Sequence, residues 1–195
     1  MKQKKSYLIT KRIFDLSAAT VGLVVLSPLF LLIAVAIKLT SPGPIFYAGT
    51  RVGKHGKLFK QLKFRTMVPN ADKVGSTVST RDDARVTPVG RLLRRSKMDE
   101  LPQLLNVIKG EMSFVGPRPE APKWVKYYSE EQRRVLEITP GITDPVQILF
   151  RHEEDNLPDE DSYPQLMNIK VNNSFVKISQ KWLKSINGYP SLIKH

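Results

Sequence analysis

The stretch LSAATVGLVVLSPLFLLIAVAI, residues 16–37, decides how this chain is built. It carries no charge, and Ser27-Pro28 interrupts it at the centre. As a straight helix rising about 1.5 Å per residue it just matches a hydrocarbon core of about 30 Å. Length therefore allows a span. The flanks argue against one, because positively charged loops stay on the cytoplasmic side of a membrane. Lys2, Lys4, Lys5, Lys11 and Arg12 precede the run, and Lys38, Arg51, Lys54 and Lys57 follow it. Both ends ask for the same face. Pro28 offers no donor to the carbonyl of Val24 and crowds it, and the Ser27 hydroxyl is placed to bond a carbonyl so freed. The dipeptide is the expected apex of two half-helices, a segment that enters a bilayer and turns back. A proline-kinked span stays open on these residues. So does a cleaved leader ending near Ala34-Val35-Ala36, although its apolar stretch is longer than a leader needs.

Beyond this segment, 195 residues leave room for one compact domain. The expected division is an anchor over residues 1–40 and a catalytic or binding domain over 41–195. The absence of cysteine excludes a disulfide framework, a thiolate metal site and a cysteine nucleophile. His55, His152 and His195 show no ligand spacing. The net charge of +13 is unevenly placed. Up to Arg65 the lone acid is Asp15, whereas Glu153, Glu154, Asp155, Asp159, Glu160 and Asp161 form an acidic run. A basic half beside a membrane segment suits anionic headgroups and phosphorylated substrates. Nucleic acid is not expected as a partner, since no aromatic-rich binding motif, zinc knuckle or basic heptad helix is present.

Ser41-Pro42-Gly43-Pro44 ends the apolar segment. Ile45 to Val52 and Leu58 to Met67 alternate as strands around a glycine-containing turn, with Leu58, Leu62 and Phe64 on one face, and predict a β-hairpin. Pro69 to Arg85 is polar and aperiodic, a loop. Thr87-Pro88 reads as a cap followed by proline at the first helical position, opening a short basic helix through Arg95. Leu101, Leu104, Leu105 and Ile108 recur at helical spacing until Gly110, with Pro102 in the first turn. That places Asp99 and Glu100 at a helix N-terminus. Ser129-Glu130-Glu131-Gln132 is a capping-box pattern before a helix that Pro140-Gly141 stops. A last helix, with Phe175, Ile178, Trp182 and Ile186 opposite Lys177, Lys181 and Lys184, fits a core or a bilayer surface. The fold class is α+β: a mostly helical membrane-surface domain with one β-hairpin, behind an N-terminal re-entrant helix broken at Ser27-Pro28.

An acidic pair in a first helical turn is favoured by the helix dipole alone. Here Arg94, Arg95 and Lys97 precede it, and Arg118 sits in the rigid turn Gly116-Pro117-Arg118-Pro119. A carboxylate among cations can attack phosphorus or hold a divalent metal, and two adjacent carboxylates allow the roles to be divided. Taken singly, Arg118 fits a salt bridge to a nearby acid better than it fits a phosphate site.

Residues 98–119, MDELPQLLNVIKGEMSFVGPRP, closely resemble the signature of the bacterial sugar transferases, the monotopic phosphoglycosyl transferases. The resemblance extends back through Lys63-Phe64-Arg65-Thr66-Met67, Ser41-Pro42-Gly43-Pro44 and Lys11-Arg12-Ile13-Phe14-Asp15, and forward to Pro140-Gly141-Ile142-Thr143. It implies a bacterial inner-membrane enzyme, working on the cytoplasmic face, that moves a phosphosugar from a UDP-sugar to a polyprenyl phosphate such as undecaprenyl phosphate. By this resemblance Asp99 is the nucleophile, and Asp99 and Glu100 share catalysis and hold Mg²⁺. Arg94 and Arg118 bind phosphate, Ser27 and Pro28 form the membrane re-entry, and a second copy of the chain is a candidate partner. The one apolar segment implies the small form of the family. After Thr143 the chain has Asp144-Pro145-Val146-Gln147 where many members continue with glycine and an aromatic, which leaves the sugar unspecified. The rival readings are an inactive membrane-surface scaffold of the same fold and a basic binder of lipid headgroups or nucleic acid.

Overall fold

The apolar run lies inside one long helix. In the computed structural model, which describes residues 5–71 and 83–144, helix α1 extends over Lys5–Thr40 with Pro28 within it. Pro28 cannot donate to Val24, and the Ser27 hydroxyl does so instead, Oγ to O at 2.8 Å. The expected separation into two half-helices is therefore not seen as an interruption. The hydroxyl takes over the bond that proline gives up, and the helix continues through the dipeptide.

α1 is long and apolar enough to cross a membrane, by length and composition. Yet both of its ends touch one body. Near the start, Asp15 is buried and accepts from Ser113 Oγ at 2.8 Å, and Arg12 donates to the carbonyls of Val107 and Ile108. Ala19 packs with Leu104, Val107 and Met112, while near the other end Ile33 and Ile37 pack with Phe64 and Leu93. Val24, Val25, Leu31 and Leu32 on its remaining faces are each more than two-thirds exposed. A soluble globule has no reason to leave such a surface bare.

Strands β1 (Phe46–Val52) and β2 (Leu58–Phe64) form the expected antiparallel hairpin, Phe46 opposite Phe64 and Val52 opposite Leu58. His55 and Gly56 take positive φ in the turn, which Gly53 N and Lys57 O close at 2.8 Å. The expected inward face holds at Phe64, stacked on Phe46 and tilted against Phe30, but not at Leu58, which is exposed. Phe59 and Gln61 are buried instead. Different elements cover the two faces of this ribbon, α1 beneath Phe64 and the helix after the acidic pair beneath Phe59, so no single alternating stripe describes it.

Helix α2 (Pro88–Arg95) begins as expected, the Thr87 hydroxyl accepting from Gly90 N at 3.0 Å. Helix α3 (Gln103–Lys109) ends at Gly110 with φ of 82°. Strand β3 (Ser113–Val115) follows, then the short helices α4 (Pro122–Val125) and α5 (Glu130–Arg133). Ser129 and Gln132 make both bonds of the capping box, N to Oε1 at 2.7 Å and N to Oγ at 3.3 Å. Strand β4 (Gly141–Thr143) pairs with β3 in parallel. The two backbones meet so closely that a Cβ on Gly141 would come within 2.1 Å of Gly116 N. The expected final helix from Phe175 to Ile186, the segment from Pro145 onward and residues 72–82 of the polar loop lie outside the described residues.

Candidate active site

Lys97 adopts a left-handed conformation, φ 56° and ψ 14°, and turns the chain out of α2 into a single 3-10 turn over Met98–Glu100. The acidic pair sits in that turn, one step before α3 rather than within its first turn. The expected helix N-terminus is thus corrected: Leu104 and Leu105 bond back to Leu101 and Pro102 in tightened i+3 fashion, so α3 opens only at Gln103. Amide hydrogens of α3 are not what holds the pair.

Side-chain cations hold it instead. Lys63, at the end of β2, donates to Glu100 Oε1 at 2.7 Å and lies 3.7 Å from Asp99 Oδ2. Arg118 Nη2 reaches the same Glu100 oxygen at 3.1 Å. Arg94 is oriented by Thr66, Nε to Oγ1 at 2.9 Å, and the charges of Arg94 and Lys97 act on Asp99. The structure therefore brings Asp99, Glu100, Arg94 and Arg118 into one charged cluster. Ser27 and Pro28 belong to α1 and make none of these contacts.

The two carboxyls are held differently. Burial would raise Glu100, but Arg118 and Lys63 outweigh it and keep the carboxyl at about 2, so Glu100 is a fixed negative charge. Asp99 goes the other way. Burial raises it above the usual carboxylate range, Lys63 opposes, and the charge of Glu100 adds to the rise. At 6% exposure, burial dominates over the surrounding cations at Asp99. Asp99 Oδ1 is buried without a hydrogen-bond partner. A poorly solvated carboxylate oxygen is a reactive one.

Lys63 is the member of this cluster that motif reading does not single out. Its signal was the strand period: it shares a face with Phe59 and Gln61, both buried. Asn106 of α3 sets its place. Completely buried, Asn106 accepts from Leu62 N at 3.0 Å and donates to Lys60 O at 2.8 Å, gripping β2 like an added strand, while Gln61 and Gln103 join their amides at 3.2 Å. The leucine stripe expected to face inward on α3 is only part of the buried surface, because Gln103, Asn106 and Val107 are buried too.

Among the described residues there is no group of three or more His, Asp or Glu side chains suited to a metal. A closed protein cage is thus not offered. Two adjacent carboxylates, one with an unsatisfied buried oxygen, do fit Mg²⁺, which commonly binds through one or two carboxylates together with substrate phosphates.

The sequence model of the bacterial sugar transferase family matches residues 6–183. The chain belongs to that family. Its relatives include the exopolysaccharide production protein ExoY of Sinorhizobium fredii, 43% identical over 160 residues that cover 74% of this chain and 71% of that protein. A putative undecaprenyl-phosphate N-acetylgalactosaminyl 1-phosphate transferase of Bacillus subtilis is 44% identical over 70% of this chain and 73% of its own length. The UDP-glucose:undecaprenyl-phosphate glucose-1-phosphate transferase of Escherichia coli is 45% identical over 76% of this chain, but the match covers 33% of that longer protein. The sugar transferase class expected from residues 98–119 is borne out, and it is an enzyme family. Such relatives and the exposed apolar α1 together mark a membrane protein.

Proposed function

We propose that this sugar transferase moves a phosphosugar from a UDP-sugar to a polyprenyl phosphate through a covalent intermediate on Asp99. The observation that supports this most is the asymmetry of the acidic pair. Glu100 is neutralised by Lys63 and Arg118, while Asp99 keeps a buried oxygen with no hydrogen bond. In the first step an Asp99 oxygen bonds to the phosphorus that carries the sugar, the bond from that phosphorus to the bridging oxygen breaks, and UMP leaves with that oxygen. In the second, an oxygen of the polyprenyl phosphate attacks the same phosphorus and Asp99 departs. Arg118 and Arg94 neutralise charge on the transferring group, Arg118 with a planar fork suited to phosphate oxygens. Lys63 screens the two carboxylates from each other and from the incoming diphosphate. Mg²⁺, held by Asp99 and Glu100 with the substrate, would supply further charge neutralisation.

The anchor reading follows from α1. A helix whose two ends contact the same polar domain cannot place that domain on both sides of a bilayer, so we read α1 as re-entrant, with the domain on the cytoplasmic face of the inner membrane. Relatives named for exopolysaccharide production and for undecaprenyl-phosphate transfer support the acceptor class. Compared with an inactive scaffold or a headgroup binder, an enzyme alone has use for a buried, unpaired carboxylate oxygen amid cations.

The test is a UMP burst. Detergent-solubilised protein with Mg²⁺ and a panel of UDP-sugars should release about one UMP per enzyme before any lipid is added, with a matching phosphosugar adduct on Asp99 by mass spectrometry. Asp99→Asn should lose both. Turnover retained in Asp99→Asn, with no adduct in the wild type, would assign the attack to the lipid phosphate.

A further inference from the structure

The tripeptide Pro117-Arg118-Pro119 has one backbone donor, since neither proline has an N–H. That donor, Arg118 N, is taken by Asp144 Oδ2 at 3.2 Å. Asp144 is 1% exposed and lies immediately after β4, in the stretch where the chain leaves the commoner family pattern. Two other bonds tie the turn to β4, Gly116 N to Thr143 O at 3.1 Å and Gly141 N to Pro117 O at 2.9 Å. Those are main-chain bonds, indifferent to side chain. The bond at Asp144 is chosen by the sequence.

From this geometry we infer that Asp144 is a positioning residue for Arg118, fixing the peptide plane between Pro117 and Arg118 so that the guanidinium meets Glu100 and the transferring phosphate. The chain of contacts is continuous: Asp144 Oδ2 to Arg118 N, along the Arg118 side chain, and Nη2 to Glu100 Oε1. The residue before a proline is confined to extended backbone, so Arg118 has little freedom except to tilt that peptide plane. An acceptor on the next strand removes the tilt. Small misplacements of a group that acts in the transition state are costly in rate. The part played by phosphate in this inference rests on the function proposed above; the placement of Arg118 does not.

The experiment has two arms. Amide exchange at Arg118, followed by NMR on the detergent-solubilised chain, does not require turnover. Protection should be strong in the wild type, at least tenfold weaker in Asp144→Ala and largely kept in Asp144→Asn, which retains an acceptor oxygen. An unprotected Arg118 amide in the wild type overturns the inference. In the kinetic arm, Asp144→Ala should lower kcat and kcat/KM equally, by tenfold or more, with Asp144→Asn within about threefold of wild type. The same Asp144→Ala change made on an Arg118→Lys background should cost less than twofold, because its effect passes through Arg118. Equal losses on both backgrounds, or loss of the folded transition in both Asp144 variants, would make Asp144 a support of the fold and defeat the inference. If the wild type releases no UMP at all, the proposed reaction fails, and the exchange arm still decides whether Asp144 holds Arg118.

Discussion

The guanidinium of Arg12 donates to the carbonyl oxygen of Val107 at 2.6 Å across 95 positions of sequence, and to its neighbour Ile108 at 2.7 Å. Both carbonyls belong to the last turn of α3, where main-chain donors run out; Val107 O also accepts from Gly110 N at 3.0 Å. Arg12 therefore caps the helix that follows the acidic pair from within the apolar anchor, and Gly110 lies under its guanidinium with a Cβ position only 3.5 Å away.

Arg12→Met keeps much of the stem but removes the donors. Charge-assisted bonds of this kind contribute about 1.5–3 kcal/mol each, so the variant should melt well below the wild type in the same micelles, and Arg12→Lys should fall between. An unchanged melting temperature for Arg12→Met would show that α3 is capped by other means.

Opposite stability effects are expected from the two acids. Glu100 has a folded value of about 2 against an ordinary 4.5, so its contribution is full above about pH 4.5 and is lost as pH falls toward 2. Asp99 is shifted upward, so its charged form costs stability at pH 7, and that cost is relieved as pH falls through the raised value. Glu100→Gln should therefore lower the melting temperature at pH 7 while Asp99→Asn leaves it equal or higher. Thermal scans of the pair check this, and the reverse order would contradict the assigned environments.

Lys63→Met removes the cation between the carboxylates. UMP release should drop tenfold or more. The acid limb of the rate profile should also move to higher pH, because Lys63 is the main group pulling Asp99 down. A limb that stays in place or moves toward acid would mean Lys63 does not govern the ionisation of Asp99.

The anchor offers a topological test. With Lys5→Cys and Lys54→Cys made separately in a chain that has no native cysteine, a membrane-impermeant thiol reagent applied to intact cells should label neither, and both should react after lysis. Labelling of one alone would turn α1 into a span. Ser27→Ala should destabilise α1, since Val24 O then has neither the hydroxyl nor a proline N–H, and Pro28→Ala should offset that loss by restoring the amide.

What the sequence made legible was short in range. The Thr87 cap, the Ser129–Gln132 box, the hairpin and the bond from Ser27 to Val24 each involve partners within a few residues, and local chemistry names both. The acidic pair and its arginines were found through a motif. Lys63 and Asp144 were not: the strand period puts Lys63 on a buried face, but its pairing with Glu100 across 37 positions, like that of Asp144 with Arg118 across 26, is written in no local pattern. The inward face of α3 is wider than its leucine stripe for a related reason: Gln103 and Asn106 look like solvent-facing residues until β2 supplies the partners that satisfy them when buried.

Gly116 and Gly141 face each other backbone to backbone, and a methyl on either would fall within 3.0 Å of main-chain atoms of the other. Neither site can yield by moving a flexible side chain, since no side chain is there to move. Nor can one substitution be cured by a second at its partner, which has no smaller residue left to become. Sequence drift around the site should stop at this crossing, with variants of the family keeping both glycines even where the sugar they accept has changed.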